Sequence, residues 1–303
     1  MGRRVVVGLG GNALMRRGED QAPGVSAGHL ARAADVLAEV ARDHTLVVTH
    51  GNGPQVGLLA LQADALANQL PTPLDVLGAE SEGMLGYLVE RELRTRLPQA
   101  SVAALLTQVQ VDPMDPAFRN PTKPIGPVYS EREARDLSRA RGWHVGRDGD
   151  HWRRLVPSPV PLRILEAETL ALLVDHGVVV VCAGGGGIPV TVDEAGWVRG
   201  VEAVVDKDLT AALLARTVSA TGLVLLTDVP GVMEGWGTDA ARLIPRLTVE
   251  EARAFPAAAG SMGPKLRACA DFVAGGGEFA AIGALEDGLA VVEGRAGTRI
   301  AEE

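Results

Sequence analysis

Residues 4–13 read R-V-V-V-G-L-G-G-N-A, a β-branched strand that runs into a glycine turn and then into a helical pattern. The same order returns at residues 45–54, T-L-V-V-T-H-G-N-G-P, and the apolar runs V-V-V-V-C-A and L-V-L-L-T-D follow later. Apolar strands separated by helices predict an α/β fold with a mainly parallel sheet covered on both faces. Ligands bind such sheets beyond the carboxyl ends of the strands, where the glycine turns of this chain fall.

Helical patterns alternate with these strands through most of the 303 residues, with one interruption. The patterns predict helices over about 26–43, 54–69, 79–96, 162–176, 208–217 and 264–275. Residues 111–161 break the alternation with a stretch rich in Pro, Arg and Asp, and so long an interruption is functional or disordered. Because Tyr129, Trp143 and Trp152 lie within it, we predict an ordered lid subdomain inserted in a single domain of residues 1–303.

Composition and charge narrow the class of protein. The net charge of −9 argues against a nucleic-acid partner, which requires a basic surface. The two cysteines, Cys182 and Cys269, form neither a disulfide framework nor a metal cluster, and no metal-ligand spacing occurs, so no metal bound by side chains is predicted. The sequence contains no signal peptide and no apolar stretch long enough to span a bilayer, which predicts a cytoplasmic protein without membrane contact.

Lysine is rare, with three residues, Lys123, Lys207 and Lys265, among 29 basic side chains. Each lies among Gly, Pro or Asp, in P-T-K-P-I-G-P, V-D-K-D-L and G-S-M-G-P-K. Lysine presents a compact ammonium group to a single oxygen, whereas arginine presents a wide planar fork. Drift in composition is the alternative explanation. Compact charges held by rigid backbone instead indicate a polyphosphate site.

The first glycine turn satisfies the dinucleotide fingerprint G-x-G-x-x-A through Gly8, Gly10 and Ala13. A nicotinamide cofactor would also need an acidic residue after the second strand, but that strand ends in His50 and Gly51, so we reject this cofactor. The backbone amides of the turn can instead form an anion-binding nest, with a tight structural turn as the alternative. The second turn, H-G-N-G-P, directs amides at an anion from a helix N-terminus. We interpret His50 as structural.

Three later segments extend this pattern. The four glycines in A-G-G-G-G-I-P-V (183–190) disfavour folding unless a phosphate or planar substrate approaches the backbone closely. In V-D-K-D-L one aspartate is an N-cap, and Lys207 is an oriented charge. Lys265 lies in the first turn of a helix, where the dipole disfavours a cation unless an anion binds there. We interpret Glu80 and Glu82, two residues apart, as a solvated helix start.

Taken together, these motifs resemble the carbamate kinases of the amino-acid-kinase superfamily over nearly the whole chain. P-T-K-P-I-G-P and G-S-M-G-P-K in this order are the most specific segments. The resemblance implies an open, mainly parallel eight-stranded sheet in a three-layer α/β/α sandwich, with the segment 111–161 protruding over the site. Two positions depart from the family: Glu82 stands where Gln is common, and Met233 stands where Tyr is common.

The resemblance also implies the activity and the roles of the residues. The reaction would be reversible phosphoryl transfer between ATP and carbamate, run toward ATP, with Mg²⁺ bound mainly through the nucleotide phosphates. Members are typically homodimers. The implied catalytic residues are Lys123, Lys207, Asp208 and Lys265. The residues implied to bind carbamoyl phosphate are Gly10, Gly11, Asn12, Gly51, Asn52 and Gly53. The residues implied to bind the nucleotide are Gly184, Gly185, Gly186, Thr227, Asp228, Val229 and Met262.

Two alternative functions stay open from the sequence. One is an acyl-phosphate-forming kinase of the same superfamily that acts on a larger amino acid. The other is a non-catalytic sensor of nucleotide or carbamoyl phosphate, which loss of a lysine would favour.

Overall fold

A computed structural model describes residues 2–11, 23–65, 72–256 and 262–302. The strands are β1 (Arg4–Leu9), β2 (Thr45–His50), β3 (Val102–Leu105), β4 (Gln108–Val111), β5 (Lys123–Tyr129), β6 (His144–Asp148), β7 (His151–Val156), β8 (Pro161–Ile164), β9 (Val179–Cys182), β10 (Ile188–Val192), β11 (Val198–Gly200), β12 (Gly222–Thr227), β13 (Met233–Glu234), β14 (Arg242–Leu243), β15 (Arg246–Thr248), β16 (Phe279–Ala284) and β17 (Thr298–Ala301). The helices are α1 (Pro23–Asp43), α2 (Gly53–Ala65), α3 (Leu74–Arg96), α4 (Glu131–Arg141), α5 (Ala167–Asp175), α6 (Lys207–Thr217), α7 (Val249–Ala254), α8 (Met262–Ala274) and α9 (Gly288–Val292).

The central sheet has eight strands in the order β15-β17-β16-β12-β1-β2-β9-β3. Its pairs are parallel except for β16 with β17, so the predicted mainly parallel sheet is confirmed. Successive residues of a strand point to opposite faces. Val5 and Val7 accordingly join a core with α1, α3 and α9, while Val6 joins a core with α6 and α8. Helices cover both faces, which gives the three-layer arrangement.

Two predicted helix boundaries are wrong. The predicted helix over about 162–176 begins at Ala167, because residues 161–164 form β8, which pairs antiparallel with β4. The predicted helix at about 79 begins five residues earlier, at Leu74. None of the helices in the described ranges is long and apolar enough to cross a membrane.

Residues 123–156 build a small unit of their own. Strands β5, β7 and β6 form an antiparallel sheet, and α4 begins with a capping box in which Ser130 and Glu133 satisfy each other's backbone amides. Ile125 and Val156 of this unit pack on a separate apolar cluster with Val56 of α2. The segment 111–161 is therefore ordered, although it interrupts the alternation of strands and helices. Its independence as a lid stays a prediction.

The small unit approaches α2 very closely at one point. A Cβ atom on Gly57 would fall 2.7 Å from the Cα atom of Gly126, so position 57 has no room for a side chain where helix and strand meet. Gly126 also needs glycine for its φ of 70°. The contact fixes the position from which β5 carries Lys123 toward the carboxyl edge of the central sheet.

Candidate active site

The predicted lysines converge at the N-terminus of α6. Lys123 Nζ lies 2.9 Å from Asp206 Oδ2, and Lys207 Nζ lies 2.6 Å from Asp208 Oδ1. Lys265 Nζ lies 3.1 Å from the other oxygen of the same carboxylate, Asp208 Oδ2. Residues from β5, α6 and α8, far apart in the chain, therefore form one cluster of three ammonium groups around two carboxylates.

Asp206 is the N-cap of α6, as one aspartate of V-D-K-D-L was predicted to be. Its Oδ1 accepts hydrogen bonds from the amides of Asp208 at 2.9 Å and Leu209 at 3.4 Å. Burial alone would raise the pKa of Asp206, but the charge and hydrogen bond of Lys123, the Asp208 amide and the charge of Lys207 outweigh it and lower the pKa to about 2. Asp206 is thus an anion that positions Lys123.

Lys265 is a buried cation. Its side chain is 4% exposed and that of Asp208 is 6% exposed. Burial and then the charge of Lys207 lower the pKa of Lys265, while Asp208 opposes the shift. An ammonium group is retained in such a place only with a counter-charge, and Asp208 supplies it to two lysines. The cluster therefore holds closely spaced positive charge that an incoming phosphate can share.

The first two glycine turns meet beside this cluster because β1 and β2 are adjacent and parallel. A Cβ atom on Gly51 would fall 2.9 Å from the Cα atom of Gly11 and 3.3 Å from Lys207 Cδ. The Gly10 amide donates to the Leu226 carbonyl oxygen at 2.8 Å, so the prediction that it belongs to an anion-binding nest is wrong for this amide. The turns after β1, β2 and β12 thus lie at one edge of the sheet, as predicted. Asn12 lies outside the described residues.

The four-glycine loop follows β9 at the same edge. It needs left-handed backbone at Gly185, Gly186 and Gly187, whose φ angles are 70°, 100° and 80°. A Cβ atom on Gly185 would fall 2.0 Å from Asn52 Nδ2, and one on Gly186 would fall 2.4 Å from the Val205 carbonyl oxygen. The loop consequently packs between the turn after β2 and the segment that leads into the lysine cluster.

Asn52 occupies a central place between these elements. It is buried, and its Nδ2 donates to Ser81 Oγ of α3 at 2.7 Å. The other polar atom of the Asn52 side chain is the carbonyl oxygen, which can only accept hydrogen bonds. Gly53, the first residue of α2, is exposed at the helix N-terminus.

The residues predicted to bind the nucleotide lie in three places. Thr227 ends β12, next to Gly10, and its Oγ1 donates to Asp228 Oδ1 at 3.0 Å. Val229 follows, partly buried, and Met262 at the start of α8 packs partly buried against the core beneath α6. Gly184, Gly185 and Gly186 belong to the loop after β9. All three places border the lysine cluster or the turns around it, and their nucleotide role stays a prediction.

The prediction that Glu82 lies at a solvated helix start is wrong. Its side chain is buried on the inner face of α3, and its carboxyl oxygens accept hydrogen bonds from the amides of Gly184 at 3.0 Å and Thr107 at 3.3 Å. Glu80 is exposed, as expected. The spacing of Leu74, Leu77, Ser81, Leu85 and Val89 marks the buried stripe of this helix, and Glu82 lies on it. A predicted helix start at Leu74 would have placed Glu82 on this buried stripe.

His50 is also fully buried, against Gly184. Its Nδ1 lies 3.2 Å from the Gly51 carbonyl oxygen, whereas Nε2 has no hydrogen-bond partner among the described residues. Burial, with a contribution from the charge of Lys207, lowers the pKa of His50 to about 4. The imidazole is therefore neutral at pH 7.

Comparison with known proteins identifies the family of this chain. The model of the Amino acid kinase family matches residues 3–283. The carbamate kinase of Rhizobium meliloti (strain 1021) is 50% identical, over 98% of this chain and 93% of that protein. The carbamate kinase of Haemophilus influenzae is 46% identical, over 99% of this chain and 97% of that protein. The structure of carbamate kinase from Giardia lamblia bound to AMP-PNP is 37% identical, with a TM-score of 0.90 over 100% of this chain and 99% of that chain.

The chain therefore belongs to the amino acid kinase family. Within that family it groups over its full length with the carbamate kinases.

Proposed function

We propose that the protein transfers a phosphoryl group reversibly between ATP and carbamate, giving ADP and carbamoyl phosphate. The observation that carries the proposal is the convergence of Lys123, Lys207 and Lys265 on two carboxylates beside the glycine turns. Because carbamoyl phosphate is a high-energy acyl phosphate, ATP synthesis is the favoured direction.

The chemistry needs positioning and charge neutralisation more than proton transfer. In the forward direction a carbamate oxygen, already anionic, attacks the γ-phosphorus of ATP in line, and the bond from phosphorus to the bridging oxygen of ADP breaks. No general base is needed, which agrees with the neutral, buried His50. Lys207 and Lys265, held by Asp208, would neutralise charge on the oxygens of the transferring phosphoryl group. Lys123, which the small unit carries on β5, would contact the phosphoryl group from the side opposite to Lys207 and Lys265.

A divalent ion belongs to this proposal as Mg²⁺ carried by the nucleotide. The two carboxylates of the lysine cluster, Asp206 and Asp208, are already engaged by lysines. That arrangement fits a metal held mainly by the nucleotide phosphates, as Mg²⁺ commonly is. When bound, Mg²⁺ would neutralise part of the negative charge of the nucleotide phosphates.

The two alternatives are weaker on the described geometry. A kinase for a larger amino acid would need a counter-charge for the α-ammonium group, and Asp206 and Asp208 are already paired with lysines. Loss of a lysine would favour a sensor, but all three lysines are present and converge on the same two carboxylates. The deciding experiment mixes purified protein, Mg²⁺, ADP and carbamoyl phosphate. ATP formation proportional to protein concentration supports the proposal, and its absence contradicts it.

Carbamoyl phosphate should be preferred over acetyl phosphate. The two are nearly isosteric, but acetyl phosphate lacks the N–H donors that the Asn52 carbonyl oxygen can accept. A buried acceptor left unpaired costs about 1–3 kcal/mol, so kcat/KM for ATP formation should differ by about 10- to 100-fold. Values within threefold of each other would contradict this account of the pocket. Phosphorylation of glutamate or aspartate as efficient as that of carbamate would favour the amino-acid alternative.

The segment 111–161 should act as a lid whose closure brings Lys123 to the phosphates. Lys123 reaches Asp206 from another sheet, and the contact is partly exposed, so ligand binding can favour the closed position. Hydrogen exchange in the peptides covering 121–129 should slow when ADP and carbamoyl phosphate are both present. Peptides of the buried strand β12 serve as the internal control. Unchanged exchange in 121–129 would count against a lid.

We further propose a homodimer, in which the partner covers the outer face of α3 and β3. Strand β3 ends the order of the central sheet in the described part of the chain, and Met84, Tyr87 and Leu106 beside it are exposed. An exposed edge strand bordered by apolar side chains is suited to a second copy of the same surface. Sedimentation equilibrium tests it, and a monomer at micromolar concentration would contradict it.

A further inference from the structure

The carboxyl group of Glu82 ties helix α3 to the four-glycine loop. Oε1 accepts from the Gly184 amide at 3.0 Å, and Oε2 accepts from the Thr107 amide at 3.3 Å. Glu82 is 3% exposed, so both contacts are shielded from water. The amides belong to the segments that follow β9 and β3, at the edge of the sheet where the lysine cluster lies.

Any displacement of Gly184 must pass into the phosphoryl-transfer site. The next residue, Gly185, packs on Asn52, and Gly186 packs on the Val205 carbonyl oxygen, one residue before the N-cap Asp206. The loop has little room to absorb a shift, because Ala183 is held in left-handed backbone and Cβ atoms on Gly184, Gly185 and Gly186 would fall 2.4, 2.0 and 2.4 Å from neighbouring atoms. Hydroxyl groups of Thr49, Thr107 and Thr210 also bond the loop, but they cannot change charge near neutral pH.

We propose that Glu82 is a positioning residue, which holds the four-glycine loop against Asn52 and Asp206 through the amide of Gly184. The activity measurement that tests this role rests on the proposed function. Hydrogen exchange in the loop tests the role independently of the proposed function.

The charge state of Glu82 gives the proposal a distinct signature. Burial raises the pKa of Glu82 to about 8, the charge of Glu166 adds to the shift, and hydrogen bonds from Thr107 and Gly184 oppose it. The carboxyl group is therefore protonated at pH 7. The titratable groups that face it are His50 of β2, Cys182 of β9, Tyr87 and Glu90 of α3, and Glu166 before α5.

None of the buried neighbours can supply a positive charge when Glu82 loses its proton. Burial lowers the pKa of His50 to about 4, and burial raises the pKa of Cys182 well above its ordinary value. If His50 Nδ1 carries the ring proton and donates to the Gly51 carbonyl oxygen, then Nε2 carries no proton and can only accept a hydrogen bond. A carboxylate at Glu82 would thus be buried without a counter-charge. Ionised Glu82 can still accept from Gly184 and Thr107, but the uncompensated charge favours displacement of the side chain toward water. The positioning contribution should therefore weaken as the pH rises through about 8.

The test compares Glu82→Leu, Glu82→Gln and the exposed control Glu80→Gln. Glutamine keeps the acceptor for Gly184 without a proton to lose, so it should retain kcat within about threefold at pH 7 and lack the fall in kcat near pH 8. Leucine removes the acceptor, and a misplacement of about 1 Å can cost on the order of 10²-fold in rate, so kcat should fall about 10- to 100-fold. Exchange in peptides covering 183–187 should accelerate in the leucine variant alone.

Two results would overturn the proposal. The first is a leucine variant with the kcat and the 183–187 exchange of the wild type. The second is the same fall in kcat near pH 8 in the wild type and in Glu82→Gln. If the leucine variant does not fold, this second result is sufficient to overturn the proposal. If the wild type forms no ATP from carbamoyl phosphate, the proposed function fails, while exchange in ligand-free protein still decides whether Glu82 holds the loop.

Discussion

Replacing Lys207 or Lys265 by arginine is expected to lower kcat by about 10²- to 10³-fold while the fold stays intact. The two ammonium groups each take one oxygen of the same carboxylate, at 2.6 Å and 3.1 Å. An arginine fork at either position would bind both oxygens of Asp208, displace the other lysine and move the charge away from the transferring phosphoryl group. Steady-state kinetics with carbamoyl phosphate and ADP, beside circular dichroism, measure the effect.

The control for these variants is Arg253→Lys, an exchange in an exposed ion pair with Asp271. Surface pairs contribute little, so kcat should stay at the wild-type value. Near-normal turnover by both lysine variants would contradict the argument that the chain keeps lysine where arginine will not serve.

Replacing Asp208 by asparagine is expected to have a comparably large effect. Asparagine keeps the shape but removes the negative charge shared by Lys207 and Lys265, so two ammonium groups are left facing each other in a buried place. The free energy of unfolding should fall by roughly 3 kcal/mol. The rate constant kcat should fall about 10²- to 10³-fold. Urea unfolding and steady-state kinetics give the two values.

The pH dependence of Asp208→Asn distinguishes a charge effect from simple damage. Asp208 opposes the lowering of the Lys265 pKa, so without it that pKa falls further and the ammonium form is lost at a lower pH. The residual activity of the variant should therefore decline at lower pH than that of the wild type on the alkaline side. The matched control, Asp271→Asn at the surface, should leave kcat and its pH profile unchanged. An unshifted alkaline limb in Asp208→Asn would contradict the assigned role.

The general fold was predictable because its signals are local. Apolar strands such as those of residues 4–9 and 45–50 are continuous, and parallel strands place the turns that follow them at one edge. The wrong helix start at about 162 has a nonlocal cause. Residues 161–164 become a strand only because β4, about fifty residues earlier, offers them a partner.

The site was predictable as a set of residues but not as a set of contacts. Lysine scarcity singled out Lys123, Lys207 and Lys265, yet the pairing of Lys123 with Asp206, 83 residues away, depends on how the small unit docks on α2. The burial of Glu82 is not predicted from a helix that starts at about residue 79, because the pair Glu80 and Glu82 then resembles a solvated helix start. From Leu74 onward the same residues show a buried stripe that includes it.

The most direct measurement separates nucleotide binding from phosphoryl transfer in the lysine variants. Calorimetry gives the Kd for ADP with Mg²⁺, and rapid-quench single turnovers with labelled carbamoyl phosphate give the rate constant of transfer to ADP. For Lys207→Arg and Lys265→Arg, the Kd should stay within about threefold of the wild-type value, while the transfer rate constant falls by at least about 10²-fold. A wild-type transfer rate constant in both variants, or a loss confined to the Kd for ADP, would contradict the proposal that these lysines act on the transferring phosphoryl group.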